Sequence, residues 1–197
     1  ISDILDANKS TNAIYTNDST IPIKEGYAWV NHGILYKLEN VNNPISIDQI
    51  IEINNRLWSG YHDPNIGVLA TYNHLMLSDV RNAYAYAKIS YGKALIKADK
   101  NSEARKSFAD AISYEGDLYQ EEAYKYLGIV ELFNKNCDEA MKNFELSKQK
   151  SFLKDSNMDY LEAVTYKDCY KDDKKAQYLY EKYKREVESG KIPLKSL

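Results

Sequence analysis

From Ser46 onward, apolar residues recur three and four positions apart, the spacing of one helix face. In SIDQIIEINNRLWSG, residues 46–60, this stripe is Ile47, Ile50, Ile51, Leu57 and Trp58. Ser46 and Gln49 stand at capping-box spacing, where each side chain accepts a hydrogen bond from the other residue's backbone N–H, and Gly60 marks the stop. Asp63-Pro64 begins a second predicted helix, with Val68, Leu69, Tyr72, Leu75 and Met76 on one face. Later helices have caps in Asn101-Ser102, in Ser156 and in Asp172 or Asp173, and the last ends at Gly190 with Pro193 beyond. Linkers as short as ADKN, NKN and KDD suit antiparallel helix pairs. Up to Gly26 the pattern is different: Asn, Ser, Thr and Asp dominate, the composition of a tether or loosely ordered arm.

The pattern also repeats as a block. When EEAYKYLGIVELFNKNCDEAMKNFE, residues 121–145, is shifted back by 36 positions, Gly128 falls on Gly92, Ala140 on Ala104 and Phe144 on Phe108. Shifted forward by the same amount, Tyr124 falls on Tyr160, Ala140 on Ala176 and Phe144 on Tyr180, with Val164 where the small residue belongs. A fixed period of this length marks stacked supersecondary units. Gly92 and Gly128 let the second helix of each pair approach the first, despite the cost of glycine inside a helix. Ala104, Ala140 and Ala176 are the small residues opposite, and Phe108, Phe144 and Tyr180 lie one turn further along the same face.

An aromatic residue, then Leu-Gly, then Ala-x-x-x-Phe a dozen residues later is a pattern that resembles the tetratricopeptide repeat family. Tyr124, Leu127, Gly128, Ala140 and Phe144 carry it best; Tyr91, Gly92, Ala104, Phe108 and Ala111 carry it in the copy before, and Tyr160, Ala163, Ala176, Tyr180 and Tyr183 in the copy after. The resemblance covers residues 82–189. It departs from the family in its period of 36, in the absence of a proline near each repeat's end, and in Lys88 at the first aromatic position.

The resemblance implies an all-α fold, a short right-handed solenoid of helical hairpins with an N-terminal capping segment. Residues 1–26 would be the polar arm, 27–80 a helical segment with a degenerate repeat, 81–190 three repeats and 191–197 a tail. YAWVNHGILYKLENV, residues 27–41, admits either a hairpin turning at Asn31-His32-Gly33 or a helix. The helix is the expectation, because an uncapped first repeat would leave its apolar face bare. In this family the first helices line a concave groove that takes peptides or partner helices. By register, that groove would hold Tyr86, Ile89 and Lys93, then Glu122, Lys125, Tyr126, Ile129 and Phe133, then Leu161 and Glu162. Tyr126, Ile129 and Phe133 form one apolar stripe of the kind interface hot spots use, unless the N-terminal arm or a second copy covers it. Ile89 and Lys93 stand where some members clamp a chaperone's terminal carboxylate, so that clamp is not visible.

Composition narrows the picture. With 26 Lys and Arg against 29 Asp and Glu, the net charge of −3 carries no basic face for nucleic acid. No apolar run approaches the roughly 18 residues of a membrane span. Fifteen of the 18 tyrosines lie from Tyr61 onward, and their apolar rings with polar tips suit half-buried helix seams first and recognition second. The chain starts at Ile1 rather than Met, which fits a removed leader or an excised piece and leaves export undecided. His32, His62 and His74 match no metal spacing, no catalytic motif is present, and His62-Asp63 is too short to mean a site. Neither a cofactor, a metal nor an enzymatic activity is expected. Cys137 and Cys169 each fall at the turn of adjacent repeats; two unpaired thiols are expected, with a disulfide conceivable if the chain is exported.

The expected function is therefore a non-catalytic protein-interaction scaffold with a protein or peptide partner, and a homo-oligomer is a further possibility. The expected setting is the periplasm or envelope of a bacterium, serving a pilus or secretion-system assembly. The alternatives are a cytoplasmic chaperone for a secreted substrate, and a regulatory or enzymatic centre in residues 1–80 that the repeats dock.

Overall fold

The computed structural model describes residues 13–66, 77–116, 118–151 and 157–190. The chain divides into two compact units, one up to Asp117 and one from Leu118. The fold is mostly helical with one small sheet, so the expectation of an all-helical chain needs correction at its N-terminal end.

In unit one, β1 (Tyr15–Thr16), β2 (Tyr27–His32) and β3 (Leu35–Asn40) form an antiparallel sheet in the order β1-β3-β2. Residues 27–40 are thus a hairpin, not a capping helix. His32 pairs with Leu35 across the two-residue loop Gly33-Ile34, and of these two only Gly33 takes a positive φ, +68°. Glycine at the first central position is the type II′ signature, whose twist matches the flanking strands. A glycine placed there, between runs rich in aromatic and β-branched residues, favours strands over a helix that would have to carry it inside. The arm is also partly ordered: Tyr15 pairs with Lys37, the Trp29 Nε1–H donates to the Ile21 carbonyl at 3.0 Å, and the Ser19 and Tyr86 hydroxyls lie 2.7 Å apart. Residues 1–12 lie outside the described residues.

Helix α1 (Ile47–Gly60) opens with the capping box: the Gln49 N–H donates to Ser46 Oγ at 3.2 Å and the Ser46 N–H to Gln49 Oε1 at 2.8 Å. Its fully buried Asn54 accepts from the Gly33 N–H at 2.9 Å and donates to the Asn31 carbonyl at 3.1 Å, so α1 holds the hairpin turn by its backbone. The expected helix through Val68, Leu69, Tyr72, Leu75 and Met76 lies outside the described residues.

The next two helices, α2 (Leu77–Lys97) and α3 (Asn101–Ser113), make the first helical hairpin. In unit two, α4 (Gln120–Phe133) and α5 (Cys137–Lys150) make the second, and α6 (Asn157–Thr165) and α7 (Asp173–Glu188) the third. A Cβ added at Gly92 would meet the Phe108 ring at 2.6 Å, and one added at Gly128 would meet the Phe144 ring at 2.5 Å. Both rings are fully buried, as are Ala104 and Ala140. The two hairpins therefore share one seam: a glycine backbone packed directly against a phenylalanine ring.

The turns repeat as well. Asp99, Lys135 and Lys171 adopt the left-handed conformation, with φ of 58°, 61° and 56°, and they are spaced by the same 36 positions. In the first two turns the N–H three residues past the helix end returns to the helix, Lys100 to the Leu95 carbonyl and Asn136 to the Glu131 carbonyl, at 2.9 and 2.8 Å. That is the Schellman closure, here with non-glycine residues in the left-handed place. The third turn is wider. Tyr166–Tyr170 form a π-helical turn, and the Asp172 N–H reaches the Tyr166 carbonyl at 3.0 Å, one residue further back. Of the expected caps, Asp172 accepts from the Lys175 N–H at 3.0 Å, whereas α3 starts without a side-chain cap because Asn101 lies inside the helix and donates to Asp99.

Substituting Gly128→Ala destabilises unit two by about 1–3 kcal/mol in denaturant titration, because overpacking against Phe144 outweighs the gain in helix propensity. The contrasting substitution Gly60→Ala, where an added Cβ meets nothing within 4 Å, raises stability by up to about 1 kcal/mol.

Candidate binding surface

The residues expected to line the groove divide between the units, and burial sorts them. In unit one, Ile89 is fully buried on α2, in the same core as Leu95, Ala104 and Phe108. It cannot touch a partner, which corrects the register reading at that position. Tyr86 is half-buried, its ring 5.6 Å from that of Tyr36 and its hydroxyl on Ser19. Lys93 lines a cavity of about 680 Å³ bounded by the sheet, α1 and α2. Its walls include Ile21, Trp29, Tyr36, Ile50 and Ser90, with the Tyr36 and Ser90 hydroxyls 2.7 Å apart.

In unit two, Leu161 belongs to a buried cluster with Leu132, Ala140, Phe144 and Met158, and Ile129 packs against it. Leu161 is core and Ile129 is largely committed to it, so the expected three-residue stripe is interrupted at its centre. Glu162 is buried and pairs with Lys148, which holds it in the hairpin rather than in an open groove. What remains at the surface of α4 is Phe133, 57% exposed, two turns beyond the half-buried Tyr126. The Lys125 ammonium lies 5.9 Å from the Tyr126 ring centroid, and Glu122 is half-buried one turn earlier. The exposed phenylalanine is the unusual feature, since burying it within the chain would have been favourable.

Three further features surround these residues. Trp58, Tyr61, Tyr84 and Tyr114 form a row of rings with successive centroids 5.1 to 6.1 Å apart. Lys88 stands 36 positions before Tyr124, and its ammonium sits 4.2 Å from the Trp58 ring centroid and 2.8 Å from Asp110. The cation thus rests on an indole face. The repeat register flagged Lys88 as a departure, but its partner Trp58 lies outside the repeat and could not be read from it.

Cys137 and Cys169 form a disulfide, with Cα atoms 5.9 Å apart, which overturns the expectation of two unpaired thiols. The bond joins the start of α5 to the π-helical turn. Beside it the Tyr170 hydroxyl donates to Asp138 at 2.7 Å, so two adjacent residue pairs link the same two segments. That hydrogen bond, helped by partial burial, pushes the Tyr170 phenol up to about 12. Burial, assisted by the Glu103 carboxylate, pushes Tyr91 up to about 12 as well, and its hydroxyl donates to Asn55 at 2.6 Å.

Among the described residues, no three His, Cys, Asp or Glu side chains converge as metal ligands, and no helix is long and apolar enough to cross a membrane. No family model, curated protein or solved structure matches this chain.

Two measurements check this region. Closing a loop across 32 residues restricts the unfolded chain enough that Cys137→Ser/Cys169→Ser, or reduction, costs unit two about 3–4 kcal/mol in denaturant titration. In an absorbance titration of tyrosinate, Tyr91 and Tyr170 ionise near 12, above the ordinary value near 10. Their raised pKa values mean that the stability they contribute is complete below about pH 10 and is lost as pH rises through about 12. Asp138→Asn brings the Tyr170 step down, and Tyr170→Phe removes it.

Proposed function

We propose that this chain is a non-catalytic protein-binding scaffold built from hairpins resembling tetratricopeptide repeats, and that it works in an oxidising compartment such as a bacterial envelope. The observation that carries the reading is the recurrence, at one 36-residue register, of the glycine–phenylalanine seam and the left-handed turn. Hairpins made to one plan gain stability by stacking, and their unstacked faces are where such proteins take partners. On α4 the binding face is Phe133 and Tyr126, flanked by Lys125 and Glu122: an exposed aromatic anchor with a charged rim. The Cys137–Cys169 disulfide supports the compartment, because such bonds persist outside the reducing cytosol. It weighs against the cytoplasmic-chaperone alternative. An assembly role at a pilus or secretion system is the setting that fits best.

A cavity of about 680 Å³ in unit one favours a second reading, in which the N-terminal region holds a regulatory ligand. One experiment separates the two. In a crosslinking pull-down from source cells, the native chain is compared with Phe133→Lys and with Tyr126→Ala/Phe133→Lys, each checked by circular dichroism. The expected result is loss of one captured protein, by roughly tenfold or more, from both folded variants. Unchanged capture overturns the α4 face and shifts attention to the unit-one cavity.

A further inference from the structure

The second and third hairpins are built at one register, but among the described residues only the second carries a further helix packed on it. Helix α6 seats on the α4–α5 hairpin by placing Met158 and Leu161 into the cluster of Leu132, Ala140 and Phe144, with Met141 packed alongside. Its Glu162 then pairs with Lys148, one turn past Phe144 on α5. The seat thus reads two apolar side chains at i and i+3 and a carboxylate at i+4. On the third hairpin, the groove between α6 and α7 is an open cavity of about 420 Å³. Its α7 wall includes Ala176, Gln177 and Tyr180, which follow Ala140, Met141 and Phe144 by 36 positions. Lys184 follows Lys148 by the same interval. It is 57% exposed, and its contact with Glu188 is a long 3.9 Å. Tyr180 is 48% exposed, although its counterpart Phe144 is fully buried.

We propose that the α6–α7 groove is a docking site for an amphipathic helix of another protein, one that presents apolar residues at i and i+3 and an acidic residue at i+4 and pairs that acid with Lys184. Two observations select this occupant. The chain itself shows the geometry on one wall, since α6 packs with this residue pattern against Ala140, Met141 and Phe144, the α5 counterparts of Ala176, Gln177 and Tyr180. The lysine at the equivalent position is exposed, with only a long 3.9 Å contact to Glu188, and supplies charge complementarity for the acid. A second copy of the chain is disfavoured, because the positions of α2 and α4 that match Met158, Leu161 and Glu162 are Tyr86, Ile89 and Ser90, and Glu122, Lys125 and Tyr126. Neither helix carries the acid at i+4. The site is distinct from the α4 face, so the two can fail separately.

The test uses a labelled peptide of roughly 16 residues, long enough to hold a helix, carrying residues 157–165 in a helix-favouring frame. Binding to the full chain is followed by fluorescence anisotropy. Saturable binding tighter than about 1 mM is expected. Lys184→Glu, at an exposed position that leaves the fold intact, weakens it roughly fivefold, and a peptide with Glu162→Lys recovers the loss. Gln177→Trp, also exposed, narrows the groove and abolishes binding, while Phe133→Lys leaves it unchanged. No saturable binding overturns the proposal, as does binding indifferent to both Lys184→Glu and Gln177→Trp. Binding that emerges only after deletion of residues 191–197 assigns the groove to the chain's own tail and overturns it. Concentration-dependent dimerisation lost in Lys184→Glu assigns it to a second copy and also overturns it.

Discussion

A phenylalanine ring packed directly against a glycine backbone is the contact from which the first two helical hairpins take their form. At Gly92 and Gly128 no methyl group fits, so the partner helix comes close enough for its alanine, Ala104 or Ala140, to be wholly buried. Close approach shortens the path between the helices, and a three-residue connection then has to reverse the chain. It does so through a left-handed residue, Asp99 or Lys135, although an aspartate or a lysine is less at ease there than a glycine. The tight seam and the strained turn are therefore one arrangement seen at two places.

The third hairpin shows what happens when the contact is lost. Val164 stands 36 positions after Gly128, where a glycine would receive the ring, and with Tyr180 it lines an open cavity of about 420 Å³. Tyr180 is left outside the seam, its ring 6.4 Å from that of Tyr160. The turn widens by a residue into π-helical geometry, and the Tyr170 phenol and Cys169 from that wider turn tie back to Asp138 and Cys137. Cross-links from the neighbouring hairpin hold in place what the seam no longer holds.

How much of this was legible in the sequence follows from how local each determinant is. The register of glycines, alanines and phenylalanines is a linear pattern, and the seams follow from it directly. So does the capping box at Ser46 and Gln49. The N-terminal hairpin was misread because YAWVNHGILYKLENV satisfies both periods weakly, and the choice rests on Gly33 taking a positive φ and on Asn54, 21 residues away, binding its turn. The binding surface was the least legible. Register places Ile89, Leu161 and Glu162 on first helices, but burial depends on what packs over them, and the core and Lys148 claim those three positions. Phe133 remained exposed at the end of α4, whereas Tyr126 is half-buried. The disulfide lay in between: the turns that carry both cysteines could be read from the repeat, but their separation in space could not.

The disulfide has a mechanical side. A chain pulled from its two ends extends only where its covalent path is free, and the bond between Cys137 and Cys169 short-circuits that path. Thirty-two residue steps, about 110 Å of extended backbone, are removed from the length a load can draw out. Helices α5 and α6 lie inside the protected segment, with Phe144 and Met158, while α4, with Gly128 and Leu132, and α7 lie outside it. Under tension the flanking helices are drawn out, and residues 137–169 remain a cross-linked loop of fixed contour.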